Sequence, residues 1–346
     1  MRMHRVEALL FCLTMCFASE KSTVIIQGAG ATFPYPLYEH WFKAFGDSTG
    51  TRILYQAVGS GDGIRQLIAR KVDFCASDAL MSDQELAQAG GAVVHIPTCI
   101  GGVVLTYNLP GNPAIRLTPQ LIQDIFLGTI TVWSDKRIKK ENPGLSLPSL
   151  GITVVHRSEG SGTTHIFTSY LSAAAPEWKR NVGAGKTVRW PRGIGVQGNA
   201  GIVENVKRIP GSIGYVEYGI ARDNKLPVAA VRNRSGAYVT PTLESLSAAA
   251  ERTGGDTPYM IVNTESATGY PISAFTFIIV YRELAYGGRS RENAAALVAM
   301  LEWMISSGQA RMAPPHYAPL PESVRMATLD MIHRITFKGV SCAQQY

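Results

Sequence analysis

The chain has 346 residues, 46% of them hydrophobic and 17% charged, which excludes an intrinsically disordered polymer and predicts a sizeable buried core. That length exceeds the usual single domain, so two compact lobes are the natural expectation. A formal net charge of +7 comes without any run of Lys/Arg interleaved with aromatic residues, so no nucleic-acid partner is expected and a mild attraction for anions is the economical reading.

In chain order, the first feature is an export signal. Arg2, His4 and Arg5 form a basic start, and Ala8 to Phe17 is an apolar run broken only by Thr14. Cys16 and Ala18 are small residues at the −3 and −1 positions of a cleavage after Ala18. The run is too short for a membrane anchor, which needs roughly 20 apolar residues. Met15 is a poor match for the small residue expected before a lipidated cysteine, so lipid anchoring at Cys16 is not expected. Cleavage removes Arg2, Arg5 and Glu7, taking the charge from +7 to +6. A periplasmic location follows from such a signal. Of the 5 cysteines, Cys75, Cys99 and Cys342 survive cleavage. Cys75 and Cys99 lie in strand-like stretches and are a possible disulfide, with free thiols as the open alternative, since only geometry decides.

Thr23–Gln27 reads as a strand, followed by a Gly-rich turn and a helix from about Pro34, where Leu37, Tyr38, Trp41, Phe42 and Phe45 recur at helical spacing. Arg52–Val58 is the next strand, with a helix marked by Ile64, Leu67 and Ile68 after another Gly-rich turn. Val72–Ala76 is a third strand, ending in Ser77-Asp78. A second unit begins near Pro97, with a β-rich Cys99–Tyr107, a helix over Thr118–Phe126 and a strand over Ile152–Arg157. Ile166, Phe167, Tyr170 and Leu171 trace a further helix, Ser212–Val216 a short buried strand, Pro271–Tyr281 a strong strand and Ala294–Met304 a strong helix. Lys139-Lys140 and Lys179-Arg180 read as solvated helix faces. Strand–turn–helix repetition of this kind builds a sheet with helices on its faces, and ligands of such sheets bind beyond the carboxyl ends of the strands.

Four junctions share one chemistry: Gly28 through Phe33, Gly59 through Gly63, Ser77-Asp78, and Arg157 through Thr164. Three of them open helices, where unpaired N–H groups and the helix dipole favour an anion. Glycines let the backbone approach closely, Thr32, Ser60, Ser161 and Thr163 add hydroxyl donors, and Arg157 supplies a positive fork suited to an oxyanion. Any one of these Ser/Thr residues by itself reads as an N-cap. Together they point to an anion site.

Other motifs fail on context. Gly46-Asp47-Ser48-Thr49-Gly50 matches a nucleophile elbow, yet a helix precedes it and a strand follows, the reverse of what an elbow needs. Gly183-Ala184-Gly185-Lys186-Thr187 resembles the end of a phosphate-binding loop, but Arg180 stands at the position of the first glycine and a strand-like Val188–Trp190 follows. Neither the histidines nor the cysteines show metal-ligand spacing, so no metal or cofactor is expected. His95 and His156 read as strand-end residues.

The segments GAGATFPYPLY, VDFCASDA, IGGVV, LGTITVWSD, RSEGSGTTHIFTSYL and PGSIGYVEY, in this order, closely resemble the phosphate-binding proteins of high-affinity ABC phosphate importers. The resemblance runs from about Thr23 to Lys338. It implies a periplasmic-binding-protein fold, α/β in class, in which two α/β lobes joined by hinge strands close over one phosphate. It further implies that residues 22–98 and 273–340 form the first lobe, 99–272 the second, and 341–346 a tail, with hinges near Ile96–Gly101 and Pro271–Phe275. By resemblance, Thr32, Phe33, Ser60 and Asp78 contact phosphate from the first lobe, and Arg157, Ser161, Gly162 and Thr163 from the second. Asp78 accepts the proton that phosphate retains near neutral pH and sulfate lacks, a mismatch that can discriminate by about 10⁴; the competing reading pairs Asp78 with Arg157 or a helix end.

Three positions depart from the family pattern: Gly61-Asp62 where a Ser-Gly or Gly-Gly pair is usual, Glu159 for the aspartate that steadies the arginine, and His156 for a second basic residue. The implied partners are inorganic phosphate and the permease subunits of an ABC importer, with the protein a monomer that performs no catalysis. A secreted phosphomonoesterase on the same fold is the rival, and it needs a nucleophile and a metal or acid/base set for which the sequence offers no evident group. A surface protein that keeps the fold without transport is a third reading.

Overall fold

The computed structural model describes residues 23–251, 259, 261–312 and 316–343. The expected export signal, residues 1–18, lies outside them.

In chain order the elements are β1 (Ile25–Gly30), α1 (Tyr35–Thr49), β2 (Arg52–Ala57), α2 (Ser60–Ile68), β3 (Phe74–Ser77), α3 (Asp83–Ala89), β4 (Val93–Tyr107), β5 (Arg116–Leu117), α4 (Pro119–Leu127) and α5 (Lys136–Glu141). There follow β6 (Thr153–Arg157), α6 (Gly162–Ala174), α7 (Pro176–Asn181), β7 (Ile194–Val196), α8 (Gly198–Arg208), β8 (Ser212–Glu217), α9 (Tyr218–Asp223), β9 (Ala230–Arg232), β10 (Tyr238–Val239) and α10 (Leu243–Ala250). The last are β11 (Ser273–Tyr281), α11 (Arg291–Ile305), α12 (Glu322–His333), β12 (Thr336–Phe337) and β13 (Val340–Ser341).

Eight strands form one sheet in the order β2-β1-β3-β11-β4-β8-β6-β7. The outer strands are parallel: β2 and β3 flank β1 in one half, and β8 and β7 flank β6 in the other. The 15-residue β4 joins the halves, pairing antiparallel with β11 from Val93 to Gly102 and with β8 from Val103 to Tyr107. β3 and β11 are buried along their whole length, which explains why Phe74–Ser77 and Ser273–Tyr281 read as near-continuous apolar runs rather than alternating ones. Leu37, Tyr38, Trp41, Phe42 and Phe45 are the buried face of α1, as their spacing requires. That helix ends on Gly50 in the left-handed conformation, so Gly46–Gly50 is a helix terminus and not an elbow.

Two expectations need correction. Cys75 and Cys99 are both buried free thiols. β11 lies between their strands, with Ile279 beside Cys75 and Thr276 beside Cys99. Two strand spacings across and three residues along β11 put the cysteines roughly 14 Å apart, beyond the reach of a disulfide. Val188–Trp190 is not a strand but irregular chain, fixed by Trp190 stacking on His156 with centroids 4.7 Å apart. Lys139-Lys140 and Lys179-Arg180 are exposed helix residues, as expected.

Candidate functional site

The turns after β1, β2, β3 and β6 meet between the halves of the sheet. α1 and α2 start without a side-chain cap, whereas Ser161 caps α6 by accepting from the Thr164 N–H at 3.1 Å. Among the described residues, the backbone N–H groups of Thr32, Phe33, Ser60, Gly162 and Thr163 make no intramolecular hydrogen bond. Ser60, Ser161 and Thr163 are all buried. Unpaired buried N–H groups are rare, and their clustering marks a surface built to receive acceptor oxygens.

Arg157 ends β6 and is 2% exposed. Its Nε donates to Glu159 Oε1 at 2.7 Å, and its Nη2 also contacts that oxygen. Nη1 reaches Thr163 Oγ1 and Asn199 Oδ1, and Nη2 reaches Thr32 Oγ1, each at 3.3 Å. Bonds of 3.3 Å are long for N–H donors, so most of the guanidinium's hydrogen-bonding capacity stays open to a stronger acceptor. Glu159 is in turn fixed by the Gly198 N–H at 3.1 Å. The longer glutamate thus steadies the arginine directly, in the role expected of an aspartate. The Arg157 N–H donates to Tyr215 Oη, whose hydroxyl also bonds Thr164 Oγ1 at 2.6 Å, tying β6 to α6.

Asp78 follows β3 and is 4% exposed. Its Oδ1 accepts from Thr276 Oγ1 at 2.7 Å and its N–H donates to Ser60 Oγ at 3.3 Å. Burial pushes its pKa up to about 7, against the opposing pull of the Thr276 bond, the Arg157 charge and the Ser60 bond. Asp78 does not pair directly with Arg157 in this arrangement. Gly162 has no room for a side chain, because a Cβ there would overlap the Asp78 carboxylate and Ser60 Oγ. The eight residues singled out in the sequence therefore form one connected cluster of donors with a single carboxylate. Phe33 joins it through its backbone; its ring is buried in edge contact with Tyr317, 6.4 Å between centroids.

Residues 18–307 match the model of a PBP superfamily domain. The chain is 41% identical over 315 residues to a phosphate-binding protein PstS of Xylella fastidiosa, covering 89% of this chain and 84% of that protein. It is 40% identical to a phosphate-binding protein PstS of Pasteurella multocida, covering 91% and 92% of the two chains. The chain belongs to the PstS family of phosphate-binding proteins. The fold agrees: a phosphate-binding protein from Stenotrophomonas maltophilia superposes with a TM-score of 0.70 at 21% identity, over 89% of this chain and 94% of that one. A high-affinity periplasmic phosphate-binding protein solved with phosphate gives 0.71 at 22% identity, over 88% and 92%. Members of the PstS family are thus named for binding and not for catalysis.

Against the family pattern, Asp62 lies in the first turn of α2 and pairs with Arg65 on the same helix, so its charge is engaged away from Arg157. Gly61 is required by packing: its N–H donates to the Gly160 carbonyl at 2.8 Å across the two halves, and a Cβ would crowd Gly160 at 3.1 Å. His156 points its Nδ1 at the Arg157 carbonyl, 3.0 Å away, and burial lowers its pKa. It adds no second cation to the cluster.

Two residues escaped the sequence reading. Asn199, in the first turn of α8, is 2% exposed and bridges Arg157 to Thr32, donating to Thr32 Oγ1 at 3.1 Å. Its signal was a strand, a Gly-Asn pair and a helix, the pattern of the other junctions. Thr276 was legible as a hydroxyl inside an otherwise apolar strand.

Proposed function

We propose that this protein binds inorganic phosphate between the two halves of its sheet and delivers it to the permease subunits of an ABC importer. The observation that carries this reading is the convergence of five unpaired N–H groups and the buried Arg157 guanidinium on a region where Glu159 is tied to Arg157 and Asp78 is the one carboxylate outside an ion pair. Monohydrogen phosphate has the complementary inventory: unprotonated oxygens to accept from the donors and one hydroxyl to donate to Asp78. Thr32, Phe33, Ser60 and Asp78 hold it from one side, and Arg157, Ser161, Gly162 and Thr163 from the other. Asn199 joins them as an orienting residue.

Phosphate trades the long Arg157 contacts for charge-assisted ones, and Asp78 rejects sulfate, which brings no proton to share. Residues 22–98 with 273–340 act as one lobe and 99–272 as the other, with 341–346 a tail. They flex where β4 and β11 pass between them, a hinge motion coupled to the ligand. The protein works as an exported, periplasmic monomer and performs no catalysis on what it binds.

Isothermal titration of the phosphate-stripped protein tests this. At about pH 8, where Asp78 is ionised, phosphate is expected to bind with one-to-one stoichiometry and sulfate at least about 10³-fold more weakly, the order expected for an unpaired buried acceptor. Equal affinity for the two anions, or turnover of a chromogenic phosphate ester, would overturn it.

A further inference from the structure

The loop Gly183–Thr187 looked in the sequence like a broken phosphate-binding loop, and nothing in the anion cluster uses it. The structure gives it another task. The Lys186 carbonyl accepts from the Ser161 N–H at 2.9 Å. One residue earlier, the Gly185 N–H donates to Thr168 Oγ1 at 3.1 Å. The loop is thus pinned at two points to α6, the helix whose first turn carries Ser161, Gly162 and Thr163. Any shift of that turn carries Lys186 with it.

The Lys186 side chain reaches out of its own half of the molecule. Its Nζ lies 2.6 Å from Glu85 Oε2 on α3, which belongs to the opposite half with β3 and Asp78. The two side chains are 17% and 20% exposed. Among the described residues it is the one lysine or arginine ion pair that joins the two halves. Glu85 is held in place independently: the same Oε2 accepts from the Ser82 N–H at 2.8 Å and from Ser82 Oγ at 3.0 Å, the reciprocal capping of α3. The lysine stem runs along a cavity of about 630 Å³ that includes Asp78, Ile166, Phe275 and Phe277 in its wall. A charge-assisted bond between two pre-positioned, largely buried groups is stronger than an exposed pair.

We infer that Lys186 and Glu85 form a latch across the cleft that holds the closed state and sets how fast the bound anion leaves. The inference rests on the phosphate-binding reading above. Neither residue belongs to the cluster assigned to phosphate contact, and both act on the closed state, so they are positioning residues. Their loss changes release and leaves encounter alone.

Two variants isolate the latch. Glu85→Gln keeps the hydrogen bonds that cap α3 and removes the charge, and Lys186→Met keeps the apolar stem and removes the ammonium. Phosphate binding and release are followed by stopped-flow tryptophan fluorescence at about 50 mM and about 500 mM salt, alongside melting curves. The expected result is release on the order of tenfold faster in each single variant, with association within about twofold of the parent. The double variant releases no faster than either single one, because both remove the same contact. High salt accelerates release from the parent and has little effect on the variants. Unchanged release, additive effects in the double variant, or a lower melting temperature with the same release rate would overturn the latch while leaving phosphate binding intact. A parent protein that takes up no phosphate sinks both the latch and the reading beneath it.

Discussion

The substitution Asp78→Asn exchanges one atom and inverts what the site offers its ligand. Oδ1 accepts from Thr276 Oγ1 at 2.7 Å, so the amide oxygen of the asparagine takes over that bond and its amide nitrogen occupies the place of Oδ2. An acceptor becomes a donor, with the shape and the Gly162 contact preserved. Phosphate loses a charge-assisted hydrogen bond, about 2 kcal/mol, and its hydroxyl meets a donor instead of an acceptor. Sulfate is freed from facing a carboxylate and gains a donor, a change of about the same size and opposite sign. The phosphate-to-sulfate affinity ratio therefore falls by about 4 kcal/mol, roughly 10³-fold. Titration calorimetry with both anions at about pH 8, where Asp78 is ionised in the parent, measures the ratio, and circular dichroism reports the fold. A ratio that survives the substitution would refute Asp78 as the selector.

Further outcomes follow from the same cluster. Arg157→Lys keeps the charge but loses the fork that spans Thr163, Asn199 and Glu159, so phosphate affinity drops by about 10² in titration while the melting temperature of the unliganded protein changes little. Gly162→Ala drives a methyl group into the Asp78 carboxylate and Ser60, and weakens phosphate by about tenfold or more with secondary structure intact by circular dichroism. The raised pKa of Asp78 makes sulfate binding depend on pH. Below about 7 the carboxyl is protonated in the unliganded protein and donates to sulfate; above it, sulfate must bring a proton with it. Sulfate affinity is thus flat below about pH 7 and falls by up to about tenfold per unit above it, as titrations on both sides of that value will measure. With a thiol reagent, the partly exposed Cys342 reacts first, and the buried Cys75 and Cys99, whose thiols burial holds protonated, react only on unfolding.

What the sequence disclosed was local. Each strand, its Gly/Ser/Thr turn and the following helix are close neighbours in the chain, so the four junctions and their donors were legible, whereas the role of Glu159 beside Arg157 entered only through the family resemblance. What escaped depends on pairs distant in the chain. β11 enters between β3 and β4 from far downstream, and that insertion both separates Cys75 from Cys99 and delivers Thr276 to Asp78 across 198 residues. Asn199 meets Thr32 across 167 residues and Lys186 meets Glu85 across 101, contacts that no spacing rule encodes. The rejection of Gly183–Thr187 as a nucleotide loop stands on its irregular continuation, although the strand expected after it is absent.

The most direct test of the central claim is a crystal structure of the protein grown with phosphate and no sulfate. The account predicts one tetrahedral density at the turns after β1, β2, β3 and β6, within hydrogen-bond distance of the Arg157 guanidinium, the N–H groups of Phe33, Gly162 and Thr163, and an oxygen of Asp78. Density at any other place, or phosphate seated there with Asp78 turned away from it, would contradict it.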